Sequence, residues 1–308
     1  MNTTWDHLPR SQWEQLHAAQ QGALQQSWAY GDALIALGVG VRRAMVWQDG
    51  KLLAVAQFMC RRIAGYLSLA SCTRGPVWQP DVLPEQRAEV YRLLRRDMPL
   101  PRLKVVLFSP DRTADQVSAA ETRGMSRVMT GYATVLLDLT LPLEALKAQM
   151  DGKWRNRLGK ALSNEKIRWH VQPSLKRCEW LLGKELDQRE AKKFHGLPTA
   201  FVRAYVDAHT EPQQAFVVAY AELGKNTIGA MLFLIHGRVA SYHMGWTDDE
   251  GRQLNTHNAL LWKAMAYLKV AGIEVLDLGG VNTHDLPGIS RFKLGAGGHA
   301  VSLAGTYF

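Results

Sequence analysis

The chain has 308 residues, of which 47% are hydrophobic and 21% charged, with a formal net charge of +9. That composition excludes a disordered chain and a collagen-like one, and the length predicts two domains of ordinary size. The three cysteines, Cys60, Cys72 and Cys178, include no CxxC pair, which argues against a disulfide framework and a cysteine zinc site.

No stretch approaches the ~18 consecutive apolar residues of a membrane span. Met1 to Gln20 is polar and lacks an apolar core of signal-peptide length, so the cytoplasm is the expected compartment. The positive charge fits a polyanionic partner, and it fits simple solubility equally well.

In chain order, Gln26–Leu37 reads as a helix. Val41–Gln48 and Leu52–Ile63 flank Asp49-Gly50, a strong hairpin signal. Tyr66–Leu69 reads as a short strand. Pro84–Met98 carries Val90, Leu93 and Leu94 at helical spacing. Leu103–Phe108 reads as a buried strand, Ala114–Arg123 as a helix and Tyr132–Leu139 as a strand.

The second half repeats this grammar. Ala215–Glu222 and Thr227–Ile235 flank Gly224-Lys225-Asn226, and Val239–Trp246 follows His236-Gly237-Arg238. A helix from about Leu254 to Ala271 stops at Gly272, with Leu261, Ala264, Met265 and Leu268 on one face. Glu274–Leu278 is the next strand. Hairpin, helix and buried strand therefore occur twice, which predicts a duplicated mixed α/β domain. The expected division is 1–145 and 146–308, with the join near Leu141 to Gly152.

Between the halves, Lys153–Lys193 holds twelve Lys and Arg against five Asp and Glu, interleaved with Trp154, Trp169 and Trp180. Basic residues with aromatics fit phosphate and base contacts. They fit equally a pair of solvated helices with tryptophans turned to the core. The densest part is Lys153-Trp154-Arg155-Asn156-Arg157.

The segment Glu274-Val275-Leu276-Asp277-Leu278-Gly279-Gly280-Val281-Asn282, followed by Gly288-Ile289-Ser290-Arg291-Phe292-Lys293, carries the most chemistry. An apolar run ends in an acid and two glycines, where backbone can approach a ligand closely, and a lysine follows. Such a set suits a held carbonyl or phosphate; it also suits a strand, a turn and a surface lysine. Phosphate-loop, HExxH, GxSxG and dinucleotide fingerprints are absent from the sequence. The ten histidines show no ligand spacing, which makes a metal improbable.

Trp28-Ala29-Tyr30-Gly31, Arg74-Gly75-Pro76-Val77-Trp78, the Lys153–Leu158 cluster with Lys160-Ala161, and the Asp277–Gly280 to Phe292-Lys293 tail together resemble the Fem-type aminoacyltransferase family. The resemblance covers nearly the whole chain. It implies a mixed α/β (α+β) fold of two tandem GNAT-like acyltransferase domains, with no bound cofactor. It implies aminoacyl-tRNA as donor and an amine acceptor on a cell-wall precursor, a peptide or a small molecule. A lipid-linked acceptor would add peripheral, electrostatic membrane contact.

The resemblance assigns Lys293 to the oxyanion or a donor phosphate. Asp277 and His243 are candidates for accepting the amine proton, Asp277 being equally suited to capping its loop and His243 to a buried structural place. Lys153, Arg155, Asn156 and Arg157 would contact phosphates. Gly279, Gly280, Asn282, Arg291 and Phe292 would line the substrate path, with Trp246 and Trp262 at the acceptor pocket.

Two departures bear on the donor. Acetyl-CoA enzymes of this fold hold the pyrophosphate on an Arg/Gln-x-x-Gly-x-Gly/Ala loop at a helix N-terminus. Here the matching stretch, Arg252 to Ala259, has no glycine. There is also no room for the long coiled-coil arm of some bridge-forming enzymes. An acyl-CoA-dependent N-acyltransferase is the nearest alternative, and a catalytically idle nucleic-acid-binding protein is a third. The idle protein would be indifferent to Lys293→Ala.

Overall fold

The computed structural model describes residues 1–101, 103–192, 198–281 and 287–308. The chain forms two compact units, Met1–Tyr132 with Ser302–Phe308, and Ala133–Val301. This differs from the division at 145/146 in two places. The strand Ala133–Asp138 pairs with Val275–Gly280 of the second sheet, and the closing strand Thr306–Tyr307 pairs with Lys104–Ser109 of the first. Neither pairing leaves a local signal, because each joins segments far apart in sequence.

The first unit is built on an eight-stranded sheet. Helix α1 (Trp28–Ala36) precedes the hairpin β1 (Gly40–Gln48) and β2 (Lys51–Ile63). The turn residues Asp49 and Gly50 have φ of 51° and 78°, the left-handed pair that a two-residue hairpin turn requires. Strand β3 (Leu67–Thr73), helix α2 (Pro84–Asp97) and strand β4 (Lys104–Ser109) follow, and β3 and β4 run parallel. Helix α2 starts on Pro84 and buries Val90, Tyr91, Leu93 and Leu94 against Phe58, Ala70 and Phe108.

The expected helix at Ala114–Arg123 is a run of turns. Ser118 Oγ accepts from Glu121 N, and Thr122 Oγ1 donates to Ser118 O. These local side-chain bonds offer the backbone an alternative to helix.

The family-like segments of this unit are packed into a buried polar network. Gln26 donates to Gln57 O and Thr73 O, and Gln57 accepts from Arg43 Nε at 2.7 Å. A Cβ on Gly31 would lie 2.1 Å from Gln57 Oε1 and 2.5 Å from Arg43 Nη2. Gly31→Ala is expected to destabilise the protein by about 3 kcal/mol, since it overpacks the site and separates buried polar partners. Denaturant titration checks this, and a loss under about 1 kcal/mol would contradict it.

The second unit has a seven-stranded sheet, in which Ala133–Asp138 is labelled β5. Helix α3 (Gly152–Leu162), the strand Ile167–Gln172, and helices α4 (Leu175–Lys192) and α5 (Thr199–Asp207) precede hairpin β6 (Phe216–Leu223) and β7 (Asn226–His236). Then come β8 (Val239–Thr247), the short helix α6 (Asp249–Gln253), the long helix α7 (Thr256–Val270), β9 (Val275–Gly280) and α8 (Pro287–Gly295). Helix α7 buries Leu260, Leu261, Ala264, Met265 and Leu268 against Val217, Met231, Phe233 and Leu276.

Both units therefore contain a hairpin, a third strand, a helix and a strand parallel to the third, as the repeated pattern predicts. Of the three tryptophans in the basic segment, Trp154 is buried in the core of the second unit, and Trp169 packs against its margin. No helix among the described residues is long and apolar enough to cross a membrane.

Candidate functional site

The two units differ at their parallel strand pair. In the first, β3 and β4 are paired over six registers, from Ser68↔Lys104 to Thr73↔Ser109. In the second, β8 and β9 are paired only at Val239↔Val275, Ala240↔Leu276 and Ser241↔Asp277. Beyond that point β8 continues to Thr247 and β9 to Gly280 without a shared ladder. A bulge accompanies the parting: Phe233 pairs with Tyr242 and Leu232 with Met244, which leaves His243 without an opposite residue. Bulges add local twist and turn a strand away from its neighbour. The result is an opening at the carboxyl end of a parallel pair, where α/β sheets commonly bind ligands.

Lys293 stands in this opening. Helix α8 brings its side chain back to β9, where Nζ donates to Gly280 O at 2.8 Å. Across the gap, the same ammonium lies 5.8 Å from the ring centroid of Tyr242 on β8. Lys293 is only 7% exposed, so it is not the solvated surface lysine that spacing alone allowed. Burial lowers its pKa, opposed by the charge of Asp277. Gly280 O is its one hydrogen-bond partner among the described residues.

Asp277 is 3% exposed. Its Oδ1 accepts from Thr134 Oγ1 at 2.5 Å and from Gly279 N at 2.8 Å. Gly279 has φ of 73°, which a glycine adopts without strain. The carboxylate thus pins the turn that presents Gly280 O to Lys293, and it ties β9 to β5.

The remaining expected site residues divide into groups. The His243 ring lies 6.0 Å from that of Phe201 on α5. Trp246 meets Trp180 edge-on at 5.1 Å, with Lys184 Nζ 5.6 Å from its ring, which makes a partly exposed aromatic and cationic patch beside β8. Trp262 is half-buried at the margin of the core. Phe292 is part of the packing: its ring is 5.9 Å from Trp154, and its carbonyl accepts from Trp154 Nε1 at 3.0 Å. That contact seats α8, and with it Lys293, on α3. Arg291 is exposed, and Asn282 lies outside the described residues.

On α3, Lys153, Asn156, Arg157 and Lys160 share the exposed side, while Trp154, Leu158 and Ala161 are buried. Arg155 has a structural task, because Nη1 donates to Ala148 O at 2.8 Å and Met150 O at 2.7 Å. Arg155→Ala is expected to cost about 1 kcal/mol of stability and leave polyanion binding nearly unchanged. Any polyanion contact of this helix falls on its exposed side, so Lys153→Glu with Arg157→Glu should leave stability nearly unchanged and lower the salt slope of such binding by about 2. Equal loss of binding in both variants would contradict this division.

Tyr242, Thr134 and the bulge are the parts of the site that sequence reading missed. Thr134 is 143 residues from Asp277 and carries no local signal. Burial pushes the Cys60 thiol up to about 11 and that of Cys178 up to about 12, so neither is a ready nucleophile near neutral pH. Among the described residues, no cluster of His, Cys, Asp and Glu could hold a metal ion.

Residues 151–294, which contain this opening, match the family model of the acetyltransferase (GNAT) domain. No curated protein sequence matches the chain. Among solved structures, FemX is similar over 99% of this chain and 96% of its own, with a TM-score of 0.83 at 14% identity. The C-terminal domain of a putative lysylphosphatidylglycerol synthetase from Agrobacterium fabrum gives 0.56 at 15% identity, covering 97% of this chain and 91% of its own. A tandem GNAT protein of the clavulanic acid biosynthesis pathway gives 0.53 at 11% identity, covering 99% and 98%. The likeness is one of fold, and it confirms the expected pair of GNAT-like units.

Proposed function

Given an acyltransferase of the GNAT type with the Fem fold, we propose that this chain moves an aminoacyl group from aminoacyl-tRNA to an amine acceptor, with Lys293 at the reacting carbonyl. The observation that carries this reading is the buried Lys293 ammonium between the parted strands, bonded to Gly280 O. A neutral amine attacks the ester carbonyl carbon, and negative charge builds on the carbonyl oxygen. The C–O bond to the ribose then breaks, and the amine proton passes to the leaving oxygen. Lys293 supplies a fixed cation for the oxyanion, usually the largest single contribution in such catalysis. The leaving alkoxide takes the proton, so no side-chain base is required, and Asp277 serves the turn.

A second reading, transfer from acyl-CoA, has the domain match in its favour. The stretch that would cradle its pyrophosphate is committed in part. The amides of Arg252, Leu254, Asn255 and Asn258 bond to the carbonyls of Asp248, Glu250, Arg252 and Asn255. Asp248, Asp249 and Glu250 add negative charge beside them. The neighbour named as a lysylphosphatidylglycerol synthetase has an aminoacyl group in its name, which supports the aminoacyl donor. The acceptor fits an amine on a cell-wall precursor, a peptide or a small molecule.

Titration with charged tRNA, uncharged tRNA and acetyl-CoA at two salt concentrations tests the donor. Salt-sensitive binding that prefers charged tRNA is the expected result. Saturable acetyl-CoA binding with no preference for charged tRNA would overturn the proposal in favour of the acyl-CoA enzyme.

A further inference from the structure

The hairpin that joins β2 to β3 in the first unit ends in an exposed apolar and cationic tip. Strand β2 outruns its neighbour β1, whose last partner on it is Cys60, opposite Gly40. Arg61, Arg62 and Ile63 go on to pair with Leu69, Ser68 and Leu67 of β3 alone among the described residues. Ala64 and Gly65 close the turn with φ of 50° and 80°, the left-handed pair of a tight hairpin. Every residue from 61 to 66 is exposed. Leu103 stands at the base of the projection, its carbonyl accepting from Ser68 N at 2.9 Å.

Two kinds of chemistry meet at this tip. Ile63 is 47% exposed, Tyr66 68% and Leu103 60%. Large apolar side chains gathered on one projection bury nothing in the fold and mark a contact surface. Arg61 and Arg62 accompany them, and neither guanidinium has a hydrogen bond or an ion pair among the described residues. The sequence has no acid from 50 to 80 or from 98 to 110, the stretches that supply β2, β3 and β4. Asp6 and Asp97, the acids whose fields reach Cys60 and Lys104 at these strand ends, are held by Arg42 and Arg96. The tip therefore presents uncompensated positive charge around an apolar centre.

This combination selects among partners. An RNA backbone would use the two arginines and leave Ile63 and Leu103 in water. An apolar groove on another protein would bury two guanidiniums without counter-charge. An anionic bilayer uses every part: arginines among the headgroups, the tyrosine ring at the interface and the aliphatic side chains against the acyl chains. We propose that the β2–β3 hairpin tip, with Leu103 beside it, docks the protein peripherally on an anionic lipid surface. The surface is independent of Lys293 and of the identity of the acyl donor.

The test is cosedimentation of the full chain with vesicles of phosphatidylglycerol and phosphatidylcholine in equal parts, and with vesicles of phosphatidylcholine alone. Binding to the anionic vesicles is expected, weakened by added salt. Ile63→Ser with Tyr66→Ser keeps the charge and should bind at least tenfold more weakly. Arg61→Gln with Arg62→Gln keeps the apolar groups and should lose as much at low salt. Equal binding by wild type and the serine variant, or no preference for the anionic vesicles, would overturn the proposal. Binding of tRNA that falls in the arginine variant, with vesicle binding unchanged, would overturn it in favour of an RNA surface. Should a variant fail to fold, hydrogen exchange on the wild type decides. Anionic vesicles should protect the amides of residues 61–67, and unchanged exchange there would overturn the docking surface.

Discussion

Lys293→Met is expected to slow acyl transfer by roughly 10²–10³-fold, the scale of losing one oxyanion donor, while the variant melts no lower than the wild type. The stability half follows from linkage. Burial lowers the folded-state pKa of Lys293 below its ordinary value of 10.5. A group depressed in this way contributes stability that is present above its unfolded pKa and lost as pH falls through its folded pKa. The charged ammonium is therefore a burden on the fold near neutral pH, and methionine keeps the stem's packing without it. The same shift predicts that activity, which needs the ammonium, declines on the alkaline side below the range of a free lysine. Thermal melts and a pH–rate profile check the two halves. A variant that melts lower and transfers normally would make Lys293 a structural residue.

Asp277→Ala is expected to cost about 3–5 kcal/mol. It strips the buried Thr134 Oγ1 and the half-buried Gly279 N of a charged acceptor, and such bonds contribute about 1.5–3 kcal/mol each. Asp277→Asn separates this role from a catalytic one, because the amide oxygen can still accept both bonds. If the carboxylate acts by pinning the turn, the Asp277→Asn variant keeps most of the stability and transfer proceeds within about tenfold of wild type. A variant that melts like the wild type but loses transfer as deeply as Lys293→Met would make Asp277 the base.

The sequence was most legible where structure is local. Asp49-Gly50 marked a hairpin, the spacing of Leu261, Ala264, Met265 and Leu268 marked α7, and the apolar run at Val275–Leu278 marked β9. The duplicated order of elements was readable for the same reason. What could not be read depends on partners far along the chain. Ala133–Asp138 joins the second sheet by pairing with β9, and its Thr134 meets Asp277 there. The contrast between the six paired registers of the first unit and the three of the second goes with a bulge at His243, which no residue type announces, and with a register break on β9 between Asp277 and Gly280.

Lys293 shows the limit most clearly. Its spacing from the two glycines fitted a surface lysine as well as a site, and the resemblance to the Fem family favoured the site. Only the folded chain places its ammonium between Gly280 O and the Tyr242 ring. The basic run on α3 divided in a way composition could not foresee. Arg155 holds the carbonyls of Ala148 and Met150, while Lys153 and Arg157 remain on the exposed side.

The central claim is that the opening between β8 and β9 transfers an aminoacyl group with Lys293 at the carbonyl. The most direct test is a single-turnover assay with labelled aminoacyl-tRNA and a panel of amine-bearing peptides and small amines, run on wild type and Lys293→Met in parallel. The account predicts amide product from the wild type and a rate lower by roughly 10²–10³-fold in the variant, with binding of charged tRNA retained. Equal product formation by the two proteins, or product from acetyl-CoA with none from charged tRNA, would contradict it.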